Sequence, residues 1–156
     1  MIDPIEVVVV IDTTKDAAFA AFIEQIDNWW PVENFSIAQG KVSVEQEYGG
    51  RIVETAKDGS EHVWGTITVW DPPVDVAISW YVGEARTPTS ITVTFATTDD
   101  GRTGVTLVHS GWDALGDEGI AKRGNYEMGW DRIIVQGYAK FARATCPKPM
   151  GRGTDV

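Results

Sequence analysis

The side chains in this 156-residue chain best suited to proton transfer or metal binding are two histidines, one cysteine and scattered carboxylates. His109 is the most informative. It follows Val105 and Leu107 at a spacing of two, so on a strand the three share one face. Two apolar neighbours make that face the inner one, and His109 is expected to point inward. An inward histidine is either a hydrogen-bonded core residue or, on a cavity, a ligand donor or general base. No serine, cysteine or carboxylate stands with it in a triad pattern. Glu54 shares a face with Ile52. If Ile52 is inward, Glu54 lies in a cavity or at its mouth and needs a partner; otherwise it faces solvent at a strand edge. Arg51 points the other way on a regular strand and reads as a cap on the Gly49-Gly50 turn. His62, just after Asp58-Gly59-Ser60-Glu61, is expected at the surface. These two histidines and Cys146 are widely spaced and lack a zinc pattern. No metal and no cofactor is expected.

Seven tryptophans are the other unusual feature. Each indole is a large apolar body with one N–H that needs a partner when buried. Trp80 shares a face with Val76 and Ile78 and is expected inward. Tyr126 and Trp130 fall on the apolar stripe of a helix. Trp30 sits in the elbow after the first helix, and Trp112 at the exit of the sheet. Strand parity groups Trp64 and Trp70 with Thr66 and Thr68, opposite Val63, Ile67 and Val69. With the Val/Ile face inward, Trp64 and Trp70 are expected half-exposed on the convex side, as a cross-strand pair or a partner surface. Trp29 receives no assignment.

The elements that must position these residues follow from periodicity. Ile5 to Ile11 is a β-branched run and predicts a strand, one that could be covered on both faces. Thr13 with Asp16 forms a capping-box-like start for a helix from about Thr14 to Gln25, carrying Phe19, Phe22, Ile23 and Ile26. Trp29-Trp30-Pro31 ends it. From Lys41 to Trp112 the pattern alternates, with turns at Gly49-Gly50, Asp58-Gly59, Pro72-Pro73 and Asp100-Gly101. Short turns predict an antiparallel meander. Tyr126, Trp130, Ile133, Ile134, Tyr138 and Phe141 then recur at spacings of three and four, predicting one long amphipathic helix. Gly137 interrupts it and is expected to permit close approach to the sheet. Gly116 to Gly119 reads as a flexible segment that could gate access. The fold class is α+β, a curved antiparallel sheet with a long C-terminal helix. Residues 1–143 read as a single domain and 144–156 as a loose tail.

Composition bounds the partners. Hydrophobic residues make up 43% and charged residues 23%, which is globular. The net charge is -10, and no Lys/Arg cluster forms a basic face. Binding to nucleic acid or an anionic membrane is therefore not expected. One cysteine and an apolar N-terminal run too short for a signal peptide or span suggest a cytoplasmic protein.

Several segments together resemble a known family. They are Ala18-Phe19-Ala20-Ala21-Phe22, Trp29-Trp30-Pro31, Gly49-Gly50-Arg51, Trp64-Gly65, Trp70-Asp71-Pro72-Pro73, Ser79-Trp80, Val105 to Trp112, and Gly129-Trp130. In this order and spacing the chain resembles the helix-grip fold of the START and birch-pollen-allergen superfamily, in the branch named after the activator of Hsp90 ATPase. The resemblance implies a cavity between sheet and helix, with Trp30, Trp112, Tyr126 and Trp130 around its mouth. It also implies binding of a small apolar or aromatic molecule, with Trp30, Glu54, Trp80, His109, Trp112, Tyr126 and Trp130 as ligand-binding candidates. Two alternatives stand beside it. One is a cyclase or dehydratase using His109, with Glu54 or Tyr126 assisting. The other is an Hsp90-type co-chaperone module using the Trp64/Trp70 face. A homodimer is left open.

Overall fold

The computed structural model describes residues 1–82 and 87–148. Seven strands form one antiparallel sheet: β1 Ile5–Ile11, β2 Lys41–Val44, β3 Arg51–Thr55, β4 Glu61–Asp71, β5 Asp75–Trp80, β6 Thr89–Thr97 and β7 Thr103–Ser110. The order across the sheet is β1-β7-β6-β5-β4-β3-β2. Among the described strands, only the pairing of β1 with β7 joins strands far apart in sequence, which brings the N-terminus beside the end of the meander. The sheet curls into a half-barrel around the C-terminal helix, an α+β helix-grip arrangement.

Alternation within strands decides the two faces. In β7, Thr103, Val105, Leu107 and His109 are buried, with the residues between them half-exposed. β1 behaves similarly: Ile5, Val9 and Ile11 are buried while Val8 is 55% exposed, so only one face of this strand is fully covered.

Helix α1 spans Lys15–Ile23, and its N-cap is Thr14, whose hydroxyl accepts from the Ala17 N–H at 3.1 Å. Thr13, the expected cap, is fully buried and donates to the Pro147 carbonyl instead. Phe19 and Phe22 from α1 meet Phe95 of β6 at ring-centroid distances of 5.1 and 5.8 Å. A short helix α2, Ile26–Trp29, follows.

After two 3-10 turns over Trp112–Glu118, the long C-terminal helix runs as α3 Gly119–Trp130, a π-helical stretch Asp131–Ala139, and α4 Lys140–Thr145. The segment expected as a flexible lead is thus turned structure, with Gly119 against the Trp112 carbonyl. Gly137 does allow a close approach, but to α2 rather than the sheet: a Cβ there would sit 2.9 Å from the Trp29 carbonyl oxygen. Tyr138 is fully buried, and its hydroxyl donates to the Ala18 carbonyl at 2.9 Å. Of the expected tail, residues 149–156 lie outside the described residues, while Cys146 is half-buried with its thiol 3.7 Å from the Ala17 carbonyl.

β4 departs from regular alternation twice. Against β3, Ile52 faces Gly65 and Val53 faces Val63, so Trp64 is an extra residue. Against β5, Ile67 faces Ile78 and Val69 faces Ala77, so Thr68 is another. Each β-bulge flips the parity beyond it. As a result Trp64, Ile67 and Trp70 all turn toward the helices, while Val69 is 45% exposed. Trp64 is only 1% exposed, and Trp70 packs edge-on to Phe19 at 5.5 Å. The expected convex pair of tryptophans therefore does not exist, and the co-chaperone alternative loses the surface it was built on.

Candidate functional site

Between the sheet and α3 lies a cavity of about 270 Å³. Its lining runs from buried Trp64 to exposed Asn125, so it reaches the surface. Trp30, Trp64, Trp80, Tyr126, Trp130 and Phe35 supply the aromatic wall. Each comes from a different turn of structure. Trp30 ends α2, Trp64 sits at the first bulge of β4, and Trp80 ends β5. Tyr126 and Trp130 are one helical turn apart on α3.

Three indoles form a nearly equilateral triangle. Ring centroids are 6.2 Å apart for Trp30 and Trp80, 6.0 Å for Trp30 and Trp130, and 6.1 Å for Trp80 and Trp130. Trp64 extends it, 5.0 Å from Trp30 and 6.0 Å from Trp80. The same three indoles border a deeper void of about 30 Å³ lined by Ile and Val side chains of the sheet. They partition a usable outer chamber from a nearly filled core.

All four indole N–H groups of this wall are tied back into the protein. Trp30 donates to the Phe35 carbonyl at 2.7 Å and Trp64 to Glu54 Oε1 at 3.2 Å. Trp80 donates to the Tyr126 hydroxyl at 3.0 Å and Trp130 to His109 Nδ1 at 2.9 Å. The Ser36 hydroxyl donates to Val32 and accepts from Gln39, so it too is occupied. The wall is therefore apolar in effect, with Asn125 at its exposed rim.

His109 is fully buried and does not line the cavity. An indole N–H can only donate, so Nδ1 must be the acceptor and Nε2 must carry the proton. Nε2 then donates to Thr89 Oγ1 at 2.7 Å, and Thr89 donates on to the Trp80 carbonyl at 3.4 Å. Burial pushes His109 down from 6.5 to about 3, which keeps it neutral. Trp112 covers the other side of the ring at 4.1 Å and donates to the His109 carbonyl. The lone pair a general base needs is already engaged by Trp130.

Glu54 is also fully buried, on the inner face of β3. Its carboxylate accepts from the backbone N–H groups of Ile37 and Ala38 at 2.9 Å, of Gly40 at 2.7 Å, and from Trp64. Burial alone would raise its pKa, but the bonds from Gly40, Ile37, Ala38 and Trp64 outweigh this and hold it below 4.5. Arg51 pairs with Glu45 at 2.6 Å rather than with Glu54 or a turn carbonyl. His62 is half-buried opposite Glu54 in the β3–β4 register.

Of the seven ligand-binding candidates, Trp30, Trp80, Tyr126 and Trp130 line the cavity. Glu54 stands behind Trp64, and His109 behind Trp130. Trp112 lines a separate recess of about 40 Å³ with Trp80 and Tyr126. The lining residues not anticipated are Phe35, Ser36, Trp64, Val82, Asn125, Gly129 and Ile133. Asn125, Gly129 and Ile133 recur at a spacing of four beside Tyr126 and Trp130, a helical signal that was present in the sequence. Among the described residues there is no group of three or more His, Cys, Asp or Glu able to hold a metal, and no helix long and apolar enough to cross a membrane.

Residues 12–137 match the model of the family described as Activator of Hsp90 ATPase homolog 1-like protein. The structure is similar to that of CalC, a self-sacrificing resistance protein from Micromonospora echinospora, with 27% identity, 94% of this chain and 98% of that chain covered, and a TM-score of 0.69. It is similar to Txn09, an anthrahydroquino-γ-pyrone synthase, with 28% identity, coverage of 90% and 96%, and a TM-score of 0.59. Protein MLL2253 from Mesorhizobium loti shares the fold at 16% identity, with coverage of 92% and 99% and a TM-score of 0.69. No curated protein matches the chain significantly.

Proposed function

Because this chain belongs to the Activator of Hsp90 ATPase homolog 1-like family and lines one open chamber with four indoles whose N–H groups are engaged elsewhere, we propose that it binds a small, flat, aromatic molecule there. The family and the buried aromatic cluster fit a ligand-binding fold. The observation that carries the reading is the engagement of all four indole N–H groups away from the chamber. What remains is apolar aromatic surface, which recognises shape rather than hydrogen-bonding pattern. The similarity to Txn09, which by its description makes a fused-ring aromatic pyrone, supports the same class of ligand.

A chamber of about 270 Å³ suits two or three fused rings. Burying about 300 Å² of such a molecule contributes roughly 7.5 kcal/mol before association costs. Affinities no tighter than about 10 µM are therefore expected. Titration calorimetry with naphthalene- and anthracene-sized compounds tests this, alongside thermal unfolding. Saturable one-to-one binding with a raised Tm is expected, and Trp80→Ala should weaken it at least tenfold. No saturable binding and no Tm shift across such a panel would sink the proposal.

Catalysis through His109 has less support than binding. Its basic nitrogen is held by Trp130 and its ring is walled off from the chamber. A synthase among the similar structures keeps an enzymatic role in view, with Tyr126 the lining side chain that could exchange a proton. Turnover that survives His109→Asn and is abolished by Tyr126→Phe would favour it.

A further inference from the structure

We propose that the chamber prefers a delocalised aromatic cation, such as an N-alkylated heteroaromatic ring, over a neutral ring of the same shape, and rejects the matching anion. This rests on the reading of the chamber as a ligand site.

Three observations point to the sign of the charge. First, four indoles line the wall and every N–H group is drawn back into the protein, so no indole donor meets the ligand. The face of an indole is the negative end of its quadrupole, and tryptophan is the best aromatic partner for a cation. Second, a buried carboxylate stands directly behind the wall. Glu54 bonds the Trp64 indole at 3.2 Å, and its other donors are three backbone N–H groups. All four donors are neutral groups. A hydrogen bond to an anion pushes electron density into the indole ring, and the charge itself adds a negative field across the chamber. Third, among the described residues no Lys, Arg or His lines the chamber. Lys122 belongs to the neighbouring recess beside Trp112. The net charge of -10 adds long-range attraction for cations.

The same geometry says which cations. A primary ammonium is strongly hydrated and would need acceptors to replace its water. The chamber offers too few. A ring with its charge spread over aromatic carbons holds water weakly and stacks on indoles, so it satisfies shape and charge together.

Three isosteres test the idea by titration calorimetry: 1-methylquinolinium, 1-methylnaphthalene and 1-naphthoate. The cation is expected to bind about tenfold tighter than the neutral ring, and the anion at least tenfold weaker. Glu54→Gln, checked for folding by circular dichroism, should bring the affinities of cation and neutral ring to within about twofold of each other; the ratio between them is the readout. Where that variant does not fold, the ratios on the native protein decide. Equal binding of cation and neutral ring, or a preference for either of the others, overturns the inference and leaves the ligand site standing. A cation preference that survives in Glu54→Gln also overturns it. If none of the three binds, the ligand-site reading itself fails.

Discussion

Trp130 Nε1 donates to His109 Nδ1 across 2.9 Å, and that bond determines which tautomer the histidine holds. The donor belongs to the wall of the chamber and the acceptor to the core of β7. The histidine therefore positions an indole face rather than presenting a base to a ligand. Thr89 completes the chain on the other ring nitrogen, so both nitrogens are satisfied within protein.

Replacing that donor is the direct test. Trp130→Phe keeps an aromatic wall but strands Nδ1 without a partner. A loss of about 1–3 kcal/mol in urea unfolding is expected from the unsatisfied acceptor and the lost ring area. Nitrogen chemical shifts of His109 should move from one tautomer toward a mixture. An unchanged tautomer would mean that something other than Trp130 sets it.

The pH dependence has a defined direction. Folded His109 stays neutral down to about 3, whereas in the unfolded chain it protonates near 6.5. Below 6.5 the unfolded state binds the extra proton, so stability is complete above that pH and declines as pH falls toward 3. Between pH 6.5 and 4.5 the loss should reach about 2–3 kcal/mol. His109→Asn should flatten the curve in this window. The Glu54 contribution has the same sign in a lower window: its pKa is also depressed, so its stabilisation is present above 4.5 and lost below. Chemical unfolding at several pH values separates the two.

Glu54→Ala removes the acceptor for four donors at once and leaves a hole behind Trp64. Destabilisation of about 3–5 kcal/mol is expected. The effect should concentrate on residues 36–40, whose backbone this carboxylate pins to the sheet. Faster amide exchange at Ile37, Ala38 and Gly40 in the Glu54→Gln variant would show it. Slow exchange there would refute the pinning.

At Gly137, helix propensity and packing make opposite predictions. Propensity alone says Gly137→Ala stabilises by about 1 kcal/mol. The Trp29 carbonyl oxygen, 2.9 Å from the new methyl, says it destabilises. Packing is expected to win, with a net loss of about 1–2 kcal/mol in thermal unfolding. A rise in Tm would show that α2 moves away easily.

The sheet was legible because its strands alternate and its turns carry Gly, Asp and Pro where turns need them. The C-terminal helix was legible from the Tyr126, Trp130, Ile133, Ile134, Tyr138, Phe141 stripe. Trp64 and Trp70 were misplaced for a physical reason. Parity assumes a regular ladder, and β4 carries two extra residues. Their spacing with Ile67, every third residue, was the available hint. Three of the four partners of Glu54 could not be read, because they are backbone groups in the irregular stretch before β2. The His109 pair joins residues 21 apart on different elements, and no local pattern encodes it.

The crowding of Trp30, Trp64, Trp80 and Trp130, each within about 6 Å of at least two of the others, also has an optical consequence. Indoles this close exchange excitation among themselves before they emit. A ligand that quenches any one of them drains the light absorbed by all four. The chamber thus carries its own antenna, and intrinsic emission should report occupancy of the site far more strongly than a single contacted tryptophan could.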